Sequence, residues 1–260
     1  MSVYYKEKPE YLQQSIESIL NQTAPTDDFV LVCDGPLTPE LDSVISKYTT
    51  LHVIRLKENG GLGRALNEGM KHCQHDLIAR MDSDDISRQD RCERELAVFR
   101  DHPEVDIVSG TIEEFITSPD EVYSRRVLPE KSAEIVEFAK KRNPFNHPSV
   151  MYRKSAVEAA GGYKDFYLLE DYFLWVRMLL NDSKGYNIQK PVLWMRAGSD
   201  LYKRRSGLEY VKSEKKLFTY MLTRGFISKG EYSRAVVSRT AGAMVPNWLR
   251  SVLYKRMLRG

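Results

Sequence analysis

Cysteine is scarce in this 260-residue chain. Cys33, Cys73 and Cys92 are scattered, and no two of them form a Cys-x-x-Cys pair. That spacing argues against a disulfide framework or a thiolate zinc site and predicts a reducing, cytoplasmic setting. Long hydrophobic runs are also missing. The longest strongly apolar piece, Phe29-Val30-Leu31-Val32-Cys33, has the length of a strand, far short of the roughly 20 residues a membrane-spanning helix needs. The start, Met1-Ser2-Val3-Tyr4-Tyr5-Lys6, lacks the apolar core of a signal peptide, so export by that route is not expected. There is no internal repeat and no low-complexity tract. With 42% hydrophobic and 29% charged residues, the composition is that of one large globular α/β domain with a modest C-terminal extension.

The net charge of +3 hides a split. Residues 201–260 carry 14 Lys/Arg against 3 Asp/Glu, a balance of +11, which leaves −8 on the first 200 residues. An acidic body with a basic tail points to an anionic partner for the tail: nucleic acid, a phospholipid surface or a diphosphate. A solvated basic helical face is the plainer alternative.

Strands and helices alternate through the first two-thirds. Strands are expected at Ser2–Tyr5, Phe29–Cys33, Leu51–Leu56, Leu77–Met81 and Val105–Ser109. Helices are expected from Pro9, over Pro39–Tyr48, from about Leu62 to Cys73 and over Gln89–Phe99. This rhythm predicts a mostly parallel central sheet flanked by helices on both faces. Beyond Gly110 the expectation is short strands over 112–128, a helix over Lys131–Arg142, a strand over Ser149–Tyr152, a short helix over Lys154–Ala160 and a helix over Glu170–Leu180. Helices over 208–224, 228–240 and 247–258 complete the chain, broken at Gly225 and Pro246.

In open parallel sheets ligands bind beyond the carboxyl ends of the strands. Two strands here run into aspartate, Cys33 into Asp34 and Met81 into Asp82. Asp82-Ser83-Asp84-Asp85 places three carboxylates at one strand end. A helix N-cap is the alternative reading, but a cap needs one such residue.

Several pieces now stand in order: Ser2-Val3-Tyr4, Ser18-Ile19-Leu20-Asn21-Gln22-Thr23, Val32-Cys33-Asp34-Gly35, and Asn59-Gly60-Gly61-Leu62-Gly63 with Ala65, Asn67 and Gly69. Asp82-Ser83-Asp84-Asp85, Gly161-Gly162-Tyr163 and Glu170-Asp171-Tyr172 follow. This set resembles the family 2 glycosyltransferases of the GT-A fold over roughly the first 200 residues. The first strand departs from the family pattern: it begins almost at Met1, and Tyr5 stands where the family usually has Asn. The resemblance implies a GT-A catalytic domain over 1–206, with a nucleotide-sugar-binding half at 1–110 and an acceptor-binding half at 111–206. A basic helical extension follows at 207–260.

The resemblance also implies roles. Transfer from a UDP-sugar needs a stabilised diphosphate leaving group, for which a divalent cation such as Mn²⁺ or Mg²⁺ with oxygen ligands is suited. Asp84 is the expected metal ligand, Asp82 the contact to ribose or metal, and Asp85 the group orienting the sugar or a metal-bound water. Val3, Tyr4, Glu7, Asp34, Asn59 and Ser83 are expected around the nucleotide. Asp34 would accept the uracil imide N–H, although Asp-Gly is also a turn signal, and Tyr4 would stack near the base unless it is core. Asp171 is the expected general base, with inversion following from one base and direct displacement; alternatively Glu170 and Asp171 only complement a helix N-terminus. Glu170 and His147 are expected on the acceptor side, where His147 is open to a purely structural reading. Arg204 and Arg205 are expected at the diphosphate, or in solvent.

The resemblance points further to a β-1,3-galactosyl or glucosyl transferase of O-antigen or capsule assembly, acting on a GlcNAc-diphosphate-undecaprenol acceptor. Trp248, Leu249, Val252 and Leu253 among Arg250, Lys255 and Arg256 would then hold it peripherally on the cytoplasmic face of the inner membrane, unless that helix merely packs on the domain. A nucleotidyltransferase is disfavoured, because Ser2–Pro9 offers no Gly-rich basic loop. A nucleic-acid-binding protein would leave the acidic motif unexplained, so no nucleic-acid partner is expected.

Overall fold

A computed structural model describes residues 1–197 and 207–244. The chain opens on the short strand β1 (Ser2–Val3) and helix α1 (Pro9–Leu20). Proline suits the first turn of α1, where its missing N–H costs nothing, and Leu12, Ile16 and Ile19 give the helix a buried face. Strand β2 (Phe29–Cys33) is buried at every position, as befits a strand covered on both sides. Helix α2 (Pro39–Ile45) and strand β3 (Leu51–Arg55) follow. These strands form a three-stranded parallel sheet in the order β1-β2-β3. Helix α3 (Leu62–His72) packs back on it through Ala65 against Val30 and Val32.

The expectation of a mostly parallel sheet holds for this unit and fails in the next. Strands β4 (Leu77–Ala79), β5 (Ile86–Ser87), β6 (Val105–Phe115), β7 (Ser124–Arg126), β8 (Met151–Arg153) and β9 (Lys184–Arg196) form a second sheet, ordered β4-β8-β6-β9-β5 with β7 on β6. Only β6 and β9 run parallel there; the other pairs are antiparallel. The short strands expected over 112–128 are present as the end of β6 and β7, paired across the turn at Ser118-Pro119-Asp120, but β6 does not break at Gly110: it runs unbroken from Val105 to Phe115 and is buried along most of its length. Strand β9 was not expected at all. Lys184, Asn187, Gln189, Lys190 and Pro191 hide its alternation. Pro191, which has no N–H to give the ladder, sits where the β6–β9 register shifts beside Gly110 and Thr111. Gly110 is required there, since a Cβ would lie 2.4 Å from Val192.

Helices α4 (Arg91–Asp101), α5 (Ser132–Ala139), α6 (Lys154–Ala159) and α7 (Glu170–Leu180) cover this sheet. Helix α5 is shorter than the expected 131–142, and β8 begins two residues after the expected Ser149 because His147–Ser149 forms a 3₁₀ turn. Helices α8 (Leu208–Thr223) and α9 (Lys229–Met244) pack on α7. Leu217, Phe218, Met221 and Ile227 share a core with Phe166, Leu169, Tyr172 and Val176. This part of the basic extension is therefore integral to the domain. The helix expected over 247–258 lies outside the described residues.

Candidate active site

The turn after β1 and the ends of β2 and β4 meet at one edge. The Asp34 N–H donates to Val3 O at 2.8 Å, and Glu7 N–H to Tyr4 O at 3.0 Å, so the 3–7 segment curls over the end of β2. Val3 is core, whereas Tyr4 and Tyr5 are exposed with their rings edge to face. Asp34 is buried. Its carboxylate accepts the Gly60 N–H at 2.7 Å and the Gly61 N–H at 3.0 Å, while Asn59 Nδ2 donates to Asp34 O at 3.2 Å. Asp34 thus anchors the Asn59–Gly61 loop with both oxygens, which leaves only their second lone pairs for a ligand. Gly35, at φ +87°, lets that loop approach: a Cβ would meet Asn59 N at 2.7 Å. Glu7 reaches the acidic motif, accepting the Ser83 hydroxyl at 2.7 Å.

In the acidic motif the three aspartates have separate surroundings. The Arg80 guanidinium grips Asp82 through both oxygens, Nη1 donating to Oδ2 at 2.7 Å and Nη2 to Oδ1. Asp85 is almost fully buried and accepts the Arg196 backbone N–H at 2.8 Å. This bond straps the motif onto β9. Arg196 reinforces the strap by donating from Nε to Asp84 O at 3.0 Å, its guanidinium lying over the Tyr11 ring. Among the described residues, Asp84 has no cationic partner of its own. Burial, with the charges of Asp82 and Glu7 beside it, pushes its carboxyl up to about 7. Among the described residues, Asp82, Asp84 and Asp85 bring one carboxylate oxygen each within 4.8 Å of one another. A partly desolvated, all-oxygen cluster of excess negative charge suits a hard divalent cation.

The third group is at the start of α7. The Asp171 carboxylate accepts Asn143 Nδ2 at 2.6 Å and the Tyr172 N–H at 2.7 Å. Burial first, and Asp171 second, push the Glu170 carboxyl up to about 7; Arg80 and Asp82 are close enough to contribute. The motifs are thus brought into one neighbourhood. His147 lies near Arg80, its Nε2 paired with the Tyr163 hydroxyl at 3.0 Å and its ring against Tyr163 and Trp175. Burial and the nearby Arg80 hold its imidazole well below the usual histidine value, hence neutral. Tyr163 is fixed in turn by Asn67 of α3, which bonds both its N–H and its carbonyl. Arg204 and Arg205 lie outside the described residues.

Comparison with known proteins decides the family. The description "Glycosyl transferase family 2" matches residues 2–161. The chain is a family 2 glycosyltransferase. An uncharacterized glycosyltransferase of Haemophilus influenzae is 38% identical, over all of this chain and 97% of its own. An Escherichia coli UDP-Gal:alpha-D-GlcNAc-diphosphoundecaprenol beta-1,3-galactosyltransferase is 36% identical over all of this chain and 95% of its own. The amylovoran biosynthesis glycosyltransferase AmsE of Erwinia amylovora is 37% identical over all of this chain and 98% of its own. The solved structure of S. aureus TarS 1-349 with UDP-GlcNAc superposes with a TM-score of 0.68 at 16% identity, covering 90% of this chain and 70% of that one. The mannosyltransferase PcManGT of Pyrobaculum calidifontis, with GDP-Man and Mn2+, gives 0.64 at 15% identity, covering 96% and 71%. These last two bear on the fold alone, which is GT-A.

Sequence reasoning missed three residues of this glycosyltransferase site: Arg80, Asn143 and Arg196. A charged residue directly after the strand Leu77–Ala79 was the available signal for Arg80. Nothing local marks Asn143 or Arg196, because both act on residues distant in sequence.

Proposed function

We propose that this glycosyltransferase moves a hexose, with galactose in β-1,3 linkage as the specific reading, from a UDP-sugar to a GlcNAc-diphosphate-lipid in surface-polysaccharide assembly. Full-length similarity to the E. coli galactosyltransferase supports the donor and acceptor. The observation that carries the chemistry is that Glu170, at the start of α7 beside Asp171, lies near enough to Arg80 and Asp82 of the acidic motif to feel their charges. Asp84 would hold Mn²⁺ or Mg²⁺, which when bound supplies positive charge for the departing diphosphate, and Asp82 beside it would meet the ribose. Val3, Tyr4, Glu7, Asp34, Asn59 and Ser83 would surround the nucleotide, and Arg204 and Arg205 would meet the diphosphate.

Asp171 takes the proton from the attacking acceptor hydroxyl. The new bond forms at the anomeric carbon as the bond to the UDP oxygen breaks, so an α-linked donor yields a β-glycoside. Asn143 and the Tyr172 N–H hold the base in place, and Glu170 and His147 line the acceptor side. The basic C-terminal residues 245–260 would bring the site to the membrane surface that carries the acceptor. No described helix is long and apolar enough to cross a membrane.

Incubation with UDP-galactose, Mn²⁺ and a synthetic GlcNAc-diphosphate-lipid, with the linkage read by NMR, tests this function. The expected product is a β-1,3 disaccharide. Absence of a β-linked product with every UDP-hexose sinks it.

A further inference from the structure

Arg80 is buried to 2% exposure on the residue that follows β4. Both its terminal nitrogens go to Asp82, and its Nε has no hydrogen-bond partner. A buried guanidinium that is not fully satisfied is costly, and an apolar side chain of similar size would be cheaper in a core. Its backbone is held equally firmly. Arg80 N–H donates to Val150 O at 2.8 Å, and Nη2 of the fully buried Arg91 donates to Arg80 O at 2.7 Å and to Val150 O at 3.2 Å. Arg91 is itself neutralised by the fully buried Glu95 at 3.1 Å. Two arginines in series therefore fix the strand end from which the acidic motif projects.

From this geometry we infer that Arg80 is a positioning residue that keeps Asp82 out of the metal's coordination shell, leaving Asp84 as the carboxylate that ligates the cation. A bidentate fork fixes the carboxylate plane and neutralises its charge. The lone pairs left on Asp82 still suit a neutral donor such as a ribose hydroxyl. They do not suit a divalent cation, which would sit within a few ångströms of a guanidinium and be repelled by it. Asp84, two residues on, has no such partner among the described residues. Two aspartates of one motif are thereby given different ligands by a residue outside the motif. The inference rests on the acidic cluster being the cation site.

The test is Mn²⁺ binding to the full chain in the presence of saturating UDP, measured by calorimetry and by electron paramagnetic resonance, with thermal melting run on every variant. Asp84→Asn is expected to weaken Mn²⁺ by about tenfold or more, and Asp82→Asn by less than about threefold. Releasing the fork reverses Asp82's insignificance. In an Arg80→Met background, or Arg80→Lys if the methionine variant does not fold, adding Asp82→Asn is expected to cost about tenfold, a coupling that a merely structural arginine would not produce. An Asp82→Asn loss equal to that of Asp84→Asn in the otherwise natural chain overturns the inference. So does an unchanged, small Asp82→Asn effect once the fork is gone. Failure of the natural chain to bind Mn²⁺ saturably, with or without UDP, overturns instead the reading of the cluster as a cation site.

Discussion

The two carboxylate groups of the site are held in opposite ways. At the end of β4, Asp82 is gripped by a buried arginine and Asp85 is strapped to β9, while Asp84 between them has no cation beside it among the described residues. At the start of α7, Asp171 is held by neutral donors, an amide and a backbone N–H, and beside it is a half-buried Glu170. The first arrangement leaves a negative charge in need of a metal. The second leaves an oriented carboxylate whose charge is not cancelled, which is what a proton acceptor requires. Fixed geometry is common to both; the difference lies in whether a formal charge supplies it.

The most severe way to break this comparison is Asp171→Asn. Loss of a general base is expected to lower kcat by about 10³-fold with UDP affinity retained, measured by steady-state kinetics beside UDP titration. Normal turnover would remove Asp171 from the role. Asp84→Asn should follow, with turnover down about 100-fold and not recovered by added Mn²⁺ within the solubility of the ion. Here a metal titration of activity is the check. Asn143→Ala removes only the orienting amide and should reduce kcat about tenfold with little change in donor KM. A larger effect on KM would place Asn143 at the donor instead.

The smallest expected effect is a pH dependence of stability at the acidic motif. An acid whose folded-state pKa rises from 3.8 to about 7 stabilises the fold in its protonated form. That contribution is fully present below the unfolded value near 4 and is lost as pH climbs through about 7. Neutral Asp84→Asn should therefore stabilise the metal-free protein by about 1–2 kcal/mol at pH 8 and by almost nothing at pH 4, read from denaturant melts. Saturating Mn²⁺ should reverse the ranking at pH 8, because only the natural aspartate gains from the ion.

Much of this protein is written locally. The apolar run Phe29–Cys33 between helix signals specifies a buried parallel strand, because strand period and burial are properties of neighbouring residues. Helix α7 was legible from Phe173, Leu174, Val176, Met178 and Leu179 at helical spacing. The acidic motif was legible as a candidate ligand site because three carboxylates stand together at a strand's end, more than a helix cap needs. Other features were decided only in three dimensions. Strand β9 is concealed by its polar residues and Pro191, and it exists because β6 offers it an edge to pair with. The sense of the second sheet depends on which strands meet, which pattern alone does not encode. Asp82, Asp84 and Asp85 read alike in sequence. Their division among an arginine fork, an open ligand position and a strap arises from Arg80, Arg196 and the surrounding burial, since the state of a carboxylate is set by the charges and solvent around it rather than by its place in the chain.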